Sequence, residues 1–515
     1  MSSTVPDALA YWARHRPDAT ALDFAGDVIG YGELNTWADG VAHALRARGV
    51  RPGDRVGFLG GNSPAWCVAA LGAWKAGAIV APFNQRLLAS ELAALVEKCE
   101  PALIFCDERL ADRLDEVRAI PLDGSRSARP DFSAAILERD VAPLRALTHE
   151  RFPVPAADAG DATAVVFTSG TTGRPKGVVF THASIAGMFH DWALVESVAP
   201  HALRILLVLP LFSAAGIIWG VARTVLNGGT LLLQPRFDPV AALRVLEQDK
   251  PDTFTGPPIL WEQIARVPGF ERAELGHLTT AHVGGARVPV ELLRTWARRG
   301  VALRQLYGQT EIGGSITVTS HRDAAARPES CGRGTVFSRI RVVDDDGRDC
   351  APGEIGEILL RGPGMMAGYW RDEEATRATI VDGWLHTGDL GTLDGDGYLT
   401  FVDRLKDLII SGGLNIAPAE VEAVIEALPG VEEVAVISVP DEKFGETPAA
   451  LITASPELTG ADVVAFCDSR LADYKVPRYV VFRSEPLPRM ASGKIDKRAL
   501  RDEYTDIPGT HPRVR

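Results

Sequence analysis

The sequence predicts an α/β protein: a large N-terminal domain of parallel-rich sheets flanked by helices, a β-rich subdomain, and a small α+β C-terminal domain. Three observations predict it. Strand-like and helix-like segments alternate along most of the 515 residues, the pattern of parallel sheets covered by helices. After Arg333 the texture shifts to hairpins with Asp-Gly turns, as in "SRIRVVDDDGRDCAPGEIGEILLRGP". A seam near Asp403 opens onto a compact stretch of about a hundred residues, a normal domain size.

Taken in order, "DRVGFLG" reads as a strand, "SPAWCVAALGAWKAG" as a helix and "IVAPFN" as a strand. The helix "ASELAALVEKC" then leads into the strand "PALIFCD". The pattern lapses into loop around "DGSRSARPDF" and "FPVPAADAGD". In the C-terminal stretch, "APAEVEAVIEALPGVEEVAVISVPD" and a helix at "GADVVAFCDSRL" supply the α+β content, and the tail "DIPGTHPRVR" is expected to be loose. One uncharged segment, Ile205 to Ala222, is long enough to imitate a membrane span. Pro210, Ser213 and Gly216 interrupt it, so a buried strand, a turn and a helix start are expected instead.

Hydrophobic residues at 46% and charged residues at 23% fit a globular chain and exclude disordered and fibrous classes. A formal charge of -13 gives no general attraction to nucleic acid or to an anionic membrane, so any phosphate ligand needs a local site. Six scattered cysteines with no CxxC pair and no zinc-ligand spacing suit reduced thiols in a cytosol. The N-terminus lacks a basic stretch followed by an apolar one, so a cytoplasmic location without a signal peptide is expected.

The most informative stretch is "SGTTGRPKG", Ser169 to Gly177, set between the apolar β-branched runs "ATAVVFT" and "VVFTH". Gly170 and its neighbouring glycines let backbone N–H groups turn inward around phosphate oxygens. Thr168, Ser169, Thr171 and Thr172 add hydroxyls, and Lys176 adds a positive charge. A plain hairpin loop seldom gathers so many phosphate donors. A Walker A loop does not fit either: no glycine immediately precedes Lys176, Gly177 stands where Ser or Thr is needed, and a strand follows.

"TSGTTGRPKG" resembles the signature of the adenylate-forming superfamily of acyl-CoA synthetases, luciferases and nonribosomal-peptide adenylation domains, and further motifs follow in that family's order. "YGQTE", Tyr307 to Glu311, is similar to the segment in which Thr310 would touch the α-phosphate and Glu311 would hold Mg²⁺. Mg²⁺ favours one or two carboxylates plus substrate phosphates. "GGARVP" looks like the segment along adenine, giving Gly284, Gly285 and Ala286. "GWLHTGD" ends in Asp389, which the resemblance assigns to the ribose hydroxyls. In "DRLKDLIISGGLN", Arg404 would contact the ribose, Lys406 would be the hinge, and Gly412 and Gly413 would enter the site for the second half-reaction. "PRMASGKIDKRAL" brings Lys494, the expected adenylation lysine. The resemblance makes the small domain mobile and implies a large ATP- and acid-binding domain at 1–404, a small one at 407–515 and a hinge near 403–406.

The resemblance further implies the reaction. A carboxylic acid would be activated by MgATP to an acyl-adenylate with release of pyrophosphate, and the acyl group would then pass to coenzyme A. An acyl-AMP ligase with another acceptor and a non-catalytic adenylate-binding homologue are the alternatives. Neither a nucleic-acid partner nor a membrane span is expected, and a homodimer is the assembly to test. Acid-pocket walls expected by resemblance are Phe212, Ser213, Gly216, Phe254, Val283, Gly308, Gln309, Ile312 and Gly313. Ser213 stands where amino-acid-activating relatives carry Asp and acyl- or aryl-activating ones usually carry His. With no carboxylate there to meet an ammonium, an amino-acid substrate is disfavoured. His190 and His282 lie near pocket segments, though a lone histidine is more often structural. The mixed small and apolar walls favour a short to medium aliphatic or alicyclic acid.

Overall fold

The computed structural model describes residues 4–107, 110, 112–115, 150–155, 157–168, 175–196, 202–412, 414–490 and 495–515, with the side chains of 112 and 115 left aside. The loop expected at 123–132 lies outside the described residues. The chain divides into two compact units, Met1–Arg339 with Leu360–Leu385, and Ile340–Leu359 with His386–Arg515. Contacts thus group 340–359 and 386–403 of the β-rich stretch with the C-terminal unit, and leave 360–385 with the first.

The first unit is built on two large sheets. A six-stranded sheet runs in the order Gly368–Tyr369, Lys176–Thr181, Ala162–Thr168, Ile79–Pro82, Arg55–Leu59 and Leu103–Cys106. Its last four strands are parallel, and 162–168 pairs antiparallel with 176–181 across the glycine-rich loop, in the register Thr168↔Lys176. The helix Pro64–Lys75 starts where Ser63 accepts a hydrogen bond from the Trp66 N–H and proline takes the first turn, and every residue in it is buried. Gly72 is required there: a Cβ would lie 2.3 Å from the Val41 side chain, so glycine lets this helix approach the helix Tyr31–Ala47.

The seven-stranded sheet has the order Arg304–Leu306, Thr280–Gly284, Thr253–Gly256, Arg204–Leu207, Thr230–Leu233, Thr20–Phe24, Asp27–Gly30, parallel except at the last pair. One face carries Leu206, Phe254, Ala281 and Val283 into a core with Trp261 and Trp296. The opposite face carries Thr280, His282 and Arg304, against which Trp192 and Glu196 pack. Period-two alternation within the strands separates an apolar face from a polar one, and both are buried.

The uncharged segment resolves as expected: strand Arg204–Leu207, a turn, then helix from Ala214. No helix among the described residues is long and apolar enough to cross a membrane. The helix also has an irregularity with no local sequence signal: Ile217–Ala222 is wound as a π segment between α-helical Ala214–Gly216 and Arg223–Asn227. Such insertions are frequent at functional sites.

In the second unit, Val431–Asp441 and Gly445–Ala454 form a long antiparallel hairpin joined by Ile409–Ser411, Leu414–Ile416 and Tyr479–Phe482. The helices Pro418–Glu426 and Gly460–Asp468 contribute Val421, Ile425, Val463 and Cys467 to one core cluster. The tail is not loose. Ile507 is fully buried with Leu500 and Leu487, the Val514 N–H donates to the Arg478 carbonyl at 2.9 Å, and Arg515 pairs with Asp468 and Asp473. Its single isoleucine anchors a segment whose Pro, Gly and Arg content reads as solvent-exposed.

Candidate nucleotide and acid site

The expected nucleotide and acid segments of the first unit lie largely at one edge. Strands 204–207, 253–256, 280–284 and 304–306 are adjacent and parallel, so their carboxyl ends align. From those ends run Val208–Gly216, Gly284–Pro289 and Tyr307–Gly314. In open α/β sheets ligands sit in the crevice outside the carboxyl ends of strands, where following loops can converge.

Tyr307–Gly314 is held from beneath. The Tyr307 N–H donates to Thr317 Oγ1 at 2.9 Å, and its carbonyl accepts from the Ile316 N–H at 3.0 Å. Thr310–Ile312 forms one 3-10 turn, closed by Gly313 and Gly314 with φ of +87° and +104°. Gln309 leads into the turn, and Gly308 packs so closely that a Cβ would be 2.6 Å from Ser315 Cα. Gly285 also has positive φ, +80°, just past the neighbouring strand, with Ala286 following.

Glu311 is buried, and its carboxylate accepts a hydrogen bond from the Tyr369 hydroxyl, 2.9 Å to Oε1. Tyr369 also lies under Lys176, whose Nζ is 4.6 Å from the ring centroid. Thr168 Oγ1 is 3.4 Å from the Lys176 carbonyl, at the mouth of the same hairpin. Ser169, Gly170, Thr171 and Thr172 lie outside the described residues, as do Gly413 and Lys494.

This donor set fits Mg²⁺ and a nucleotide polyphosphate. Glu311 offers a hard anionic oxygen, with no protein cation paired to it among the described residues. Mg²⁺ is usually held by one or two carboxylates together with substrate phosphates, and Glu311 can supply one of them. Lys176 supplies a cation at the exit of a glycine-rich loop.

Phe212 and Ser213 sit at the turn before the π-containing helix. Ser213 caps that helix: Oγ accepts from the Gly216 N–H at 3.1 Å and donates to the Pro210 carbonyl at 2.8 Å. Ser213→Ala is expected to cost about 1 kcal/mol, the usual value of an N-cap. Denaturant unfolding measures this, with the order of preferred acids expected to be unchanged. Gly216 faces backbone, since a Cβ would be 2.1 Å from the Pro210 carbonyl oxygen. The π segment brings Trp219 over the glycine turn, where its indole N–H donates to the Gly313 carbonyl at 2.6 Å. Ile312, with Met188 and Trp192, lines a small hollow beside this turn. Phe254 and Val283, by contrast, are fully buried in the apolar core on the other sheet face, away from Trp192 and His282.

The two histidines separate cleanly. His190 is exposed at the end of the helix His182–Ala193. His282 is fully buried, its Nε2 3.0 Å from Glu196 Oε1, an ion-pair distance although the angle is poor for a hydrogen bond. Glu196 Oε2 accepts from Arg304 at 2.8 Å. Burial disfavours the charged Glu196, but contact with His282 and the fixed charges of Arg304 and Arg223 prevail and depress its carboxyl to about 2. Burial keeps the His282 imidazole below the usual histidine range. Arg304 is the permanent charge, so the ionised Glu196 pairs principally with it.

In the second unit, Asp389 and Arg404 face each other across antiparallel strands, with Arg404 Nε 3.7 Å from Asp389 Oδ1. The two residues expected at the ribose are thus neighbours, although fourteen positions of sequence lie between them. Asp403 fixes the next segment by accepting from the Arg404 and Ala419 N–H groups, both at 2.7 Å. Lys406 lies in the 3-10 turn Leu405–Asp407, where burial and the Arg404 charge lower its pKa. Gly412 has φ of +58° and donates its N–H to the Phe444 carbonyl at 2.7 Å.

Sequence reasoning did not single out Tyr369, Trp219 or the Glu196–Arg304 pair. "GYW" at 368–370 carries a hydroxyl-bearing aromatic within an apolar run, the one available signal for Tyr369. Nothing local marks the other two.

Residues 9–370 match the AMP-binding enzyme family, and residues 420–494 match the AMP-binding enzyme C-terminal domain. The chain belongs to the AMP-binding enzyme family. It is 38% identical over 502 residues to a feruloyl-CoA synthase of an Amycolatopsis species, covering 96% of this chain and 97% of the relative. It is 36% identical over 479 residues to the long-chain-fatty-acid–CoA ligase FadD13 of Mycobacterium tuberculosis (strain ATCC 25618 / H37Rv), covering 92% and 93%. Its fold matches ATP-bound MatB from Rhodopseudomonas palustris with a TM-score of 0.88 at 30% identity, covering 98% of this chain and 100% of the other.

Proposed function

We propose that this chain is an AMP-forming acid–CoA ligase that activates a carboxylic acid with MgATP and transfers the acyl group to coenzyme A. The observation that carries this reading is the hydrogen-bonded pairing of Tyr369 with Glu311, beside Lys176, at an edge where loops from adjacent parallel strands converge. Similarity to CoA-forming relatives over nearly the whole chain supports it.

A carboxylic acid of pKa about 4 is already ionised at neutral pH, so its attack on the α-phosphorus needs no general base. The barrier is repulsion between anions and charge growth on phosphoryl oxygens, and catalysis is positioning and electrostatic stabilisation. Lys176 and the 168–177 loop hold the β- and γ-phosphates, Thr310 donates to the α-phosphate, and Glu311 holds the metal. Bound Mg²⁺ supplies charge neutralisation at the phosphates. Gly284, Gly285, Ala286 and Tyr307 line the adenine, and Asp389 with Arg404 meets the ribose. Lys494 stabilises the transition state of adenylation. The small domain then turns about Lys406, withdrawing Lys494 and bringing in Gly412 and Gly413 for attack by the CoA thiol.

Phe212, Gly308, Gln309, Ile312 and Gly313 surround the acid, with Ser213 and Gly216 shaping the helix start beside them and Phe254 and Val283 supporting the sheet from its other face. The mixed small and apolar character of these walls supports a short to medium aliphatic or alicyclic acid. A cytoplasmic location and a homodimer complete the proposal.

The experiment is pyrophosphate release over a panel of carboxylic acids, each with and without CoA. Release together with thioester for one acid class is the expected result. Release without thioester points to a different acceptor, and no release with any acid overturns the enzymatic reading.

A further inference from the structure

The strand Gly368–Tyr369 pairs antiparallel with Lys176–Thr181, in the register Gly368↔Val179 and Tyr369↔Val178. The Tyr369 N–H donates to Thr376 Oγ1 at 2.8 Å, which fixes the backbone at this position. The Tyr369 hydroxyl donates to Glu311 Oε1 at 2.9 Å. Two residues away from Gly368, the Met366 N–H donates to the Glu311 carbonyl at 2.8 Å. The 366–369 segment therefore grips Glu311 by both main chain and side chain.

The chemistry of this grip is selective. A phenol gives Glu311 a hydrogen bond without cancelling its negative charge, whereas a lysine or arginine in the same place would neutralise it. The ring also offers its electron-rich face to the Lys176 ammonium. Lys176 over the ring face and Glu311 at its hydroxyl form no ion pair with each other among the described residues. Both charges stay available to ligands.

We propose that Tyr369 is a positioning residue for adenylation: its hydroxyl orients Glu311 toward the metal, and its ring keeps Lys176 from pairing with Glu311 and directs it to the phosphates. This rests on the reading of Glu311 as the Mg²⁺ ligand and Lys176 as a phosphate ligand. The ligand class is a nucleoside triphosphate complexed with a divalent cation.

The test is calorimetric binding of ATP to the full-length protein across a magnesium titration, without acid, so that no turnover occurs. Pyrophosphate release is followed in parallel. Tyr369→Phe is expected to raise the Mg²⁺ concentration for half-maximal tightening of ATP binding about ten-fold, the usual scale for losing a hydrogen bond to a charged group, with metal-free ATP affinity unchanged. Tyr369→Leu removes the ring too and is expected to weaken metal-free ATP binding about five-fold in addition, as the cation–π contact goes and Lys176 turns to Glu311. In a Glu311→Gln background Tyr369→Phe should add no further magnesium shift, since both act through one carboxylate.

Equal weakening of metal-free and metal-bound ATP by Tyr369→Phe, or additivity with Glu311→Gln, overturns the proposal and leaves Tyr369 a packing residue. A magnesium response untouched by Glu311→Gln overturns the metal assignment itself, a separate line of the data. Tyr369→Phe, which keeps the ring, carries the test by itself should Tyr369→Leu fail to fold.

Discussion

Lys494→Ala is expected to slow formation of the acyl-adenylate by about a hundred- to a thousand-fold, the range for removing one preorganised charge from a transition state. Thioester formation from supplied acyl-adenylate and CoA should be spared. The reason lies in where charge develops. Attack at the α-phosphorus adds negative charge to nonbridging oxygens, which an ammonium offsets directly. Attack of a thiol on the mixed anhydride builds charge on a carbonyl oxygen and releases AMP, a step for which the proposed domain rotation has already withdrawn Lys494. Rapid-quench measurement of pyrophosphate and of thioester separates the two halves. Equal losses in both would place Lys494 in general substrate binding and would remove the rotation from the mechanism.

Glu196→Gln is expected to destabilise the first unit by about 3–5 kcal/mol, the cost of removing one partner from a buried ion pair. Arg304 and Glu196 are both almost completely buried at 2.8 Å, so the glutamine would leave a guanidinium desolvated beside a neutral amide. Arg223, also fully buried, feels the same carboxylate and would lose its support. Denaturant unfolding measures the loss, and a change below about 1 kcal/mol would show that water reaches the pair, as it does in surface bridges. The pair also sets an acid limit. The Glu196 carboxyl is depressed to about 2, so its contribution is complete above the ordinary carboxylate value and disappears as pH falls toward 2. His282, held neutral by burial, acts earlier: its unfolded form takes up a proton below about pH 6.5, which favours unfolding. Stability should therefore begin to fall at mildly acidic pH and fall further near pH 4, and Glu196→Gln should remove the lower step.

The arrangement of strands and helices was legible because local patterns and tertiary demand agree over most of the chain. "DRVGFLG", "IVAPFN" and "PALIFCD" became the parallel strands Arg55–Leu59, Ile79–Pro82 and Leu103–Cys106. The helix between the first two has its Ser-Pro start where the sequence placed it. Asp389 and Arg404 were each readable from a motif, and the structure adds that antiparallel pairing makes them neighbours. The tail was misjudged because one buried isoleucine outweighs a polar composition.

By itself the sequence determined the class of chemistry. A loop of glycines and hydroxyls with Lys176, a threonine–glutamate pair at 310–311 and Asp389 are residue types whose donors and charges suit a nucleotide polyphosphate wherever they are placed. Only the tertiary structure decided which side chains serve those groups. Tyr369 reaches Glu311 across 58 positions of sequence, Trp219 reaches Gly313 across 94, and Arg304 reaches Glu196 across 108. Such partners share no local pattern, because a hydrogen bond or buried ion pair depends on distance in space and on exclusion of water. Sheet order and helix packing set both.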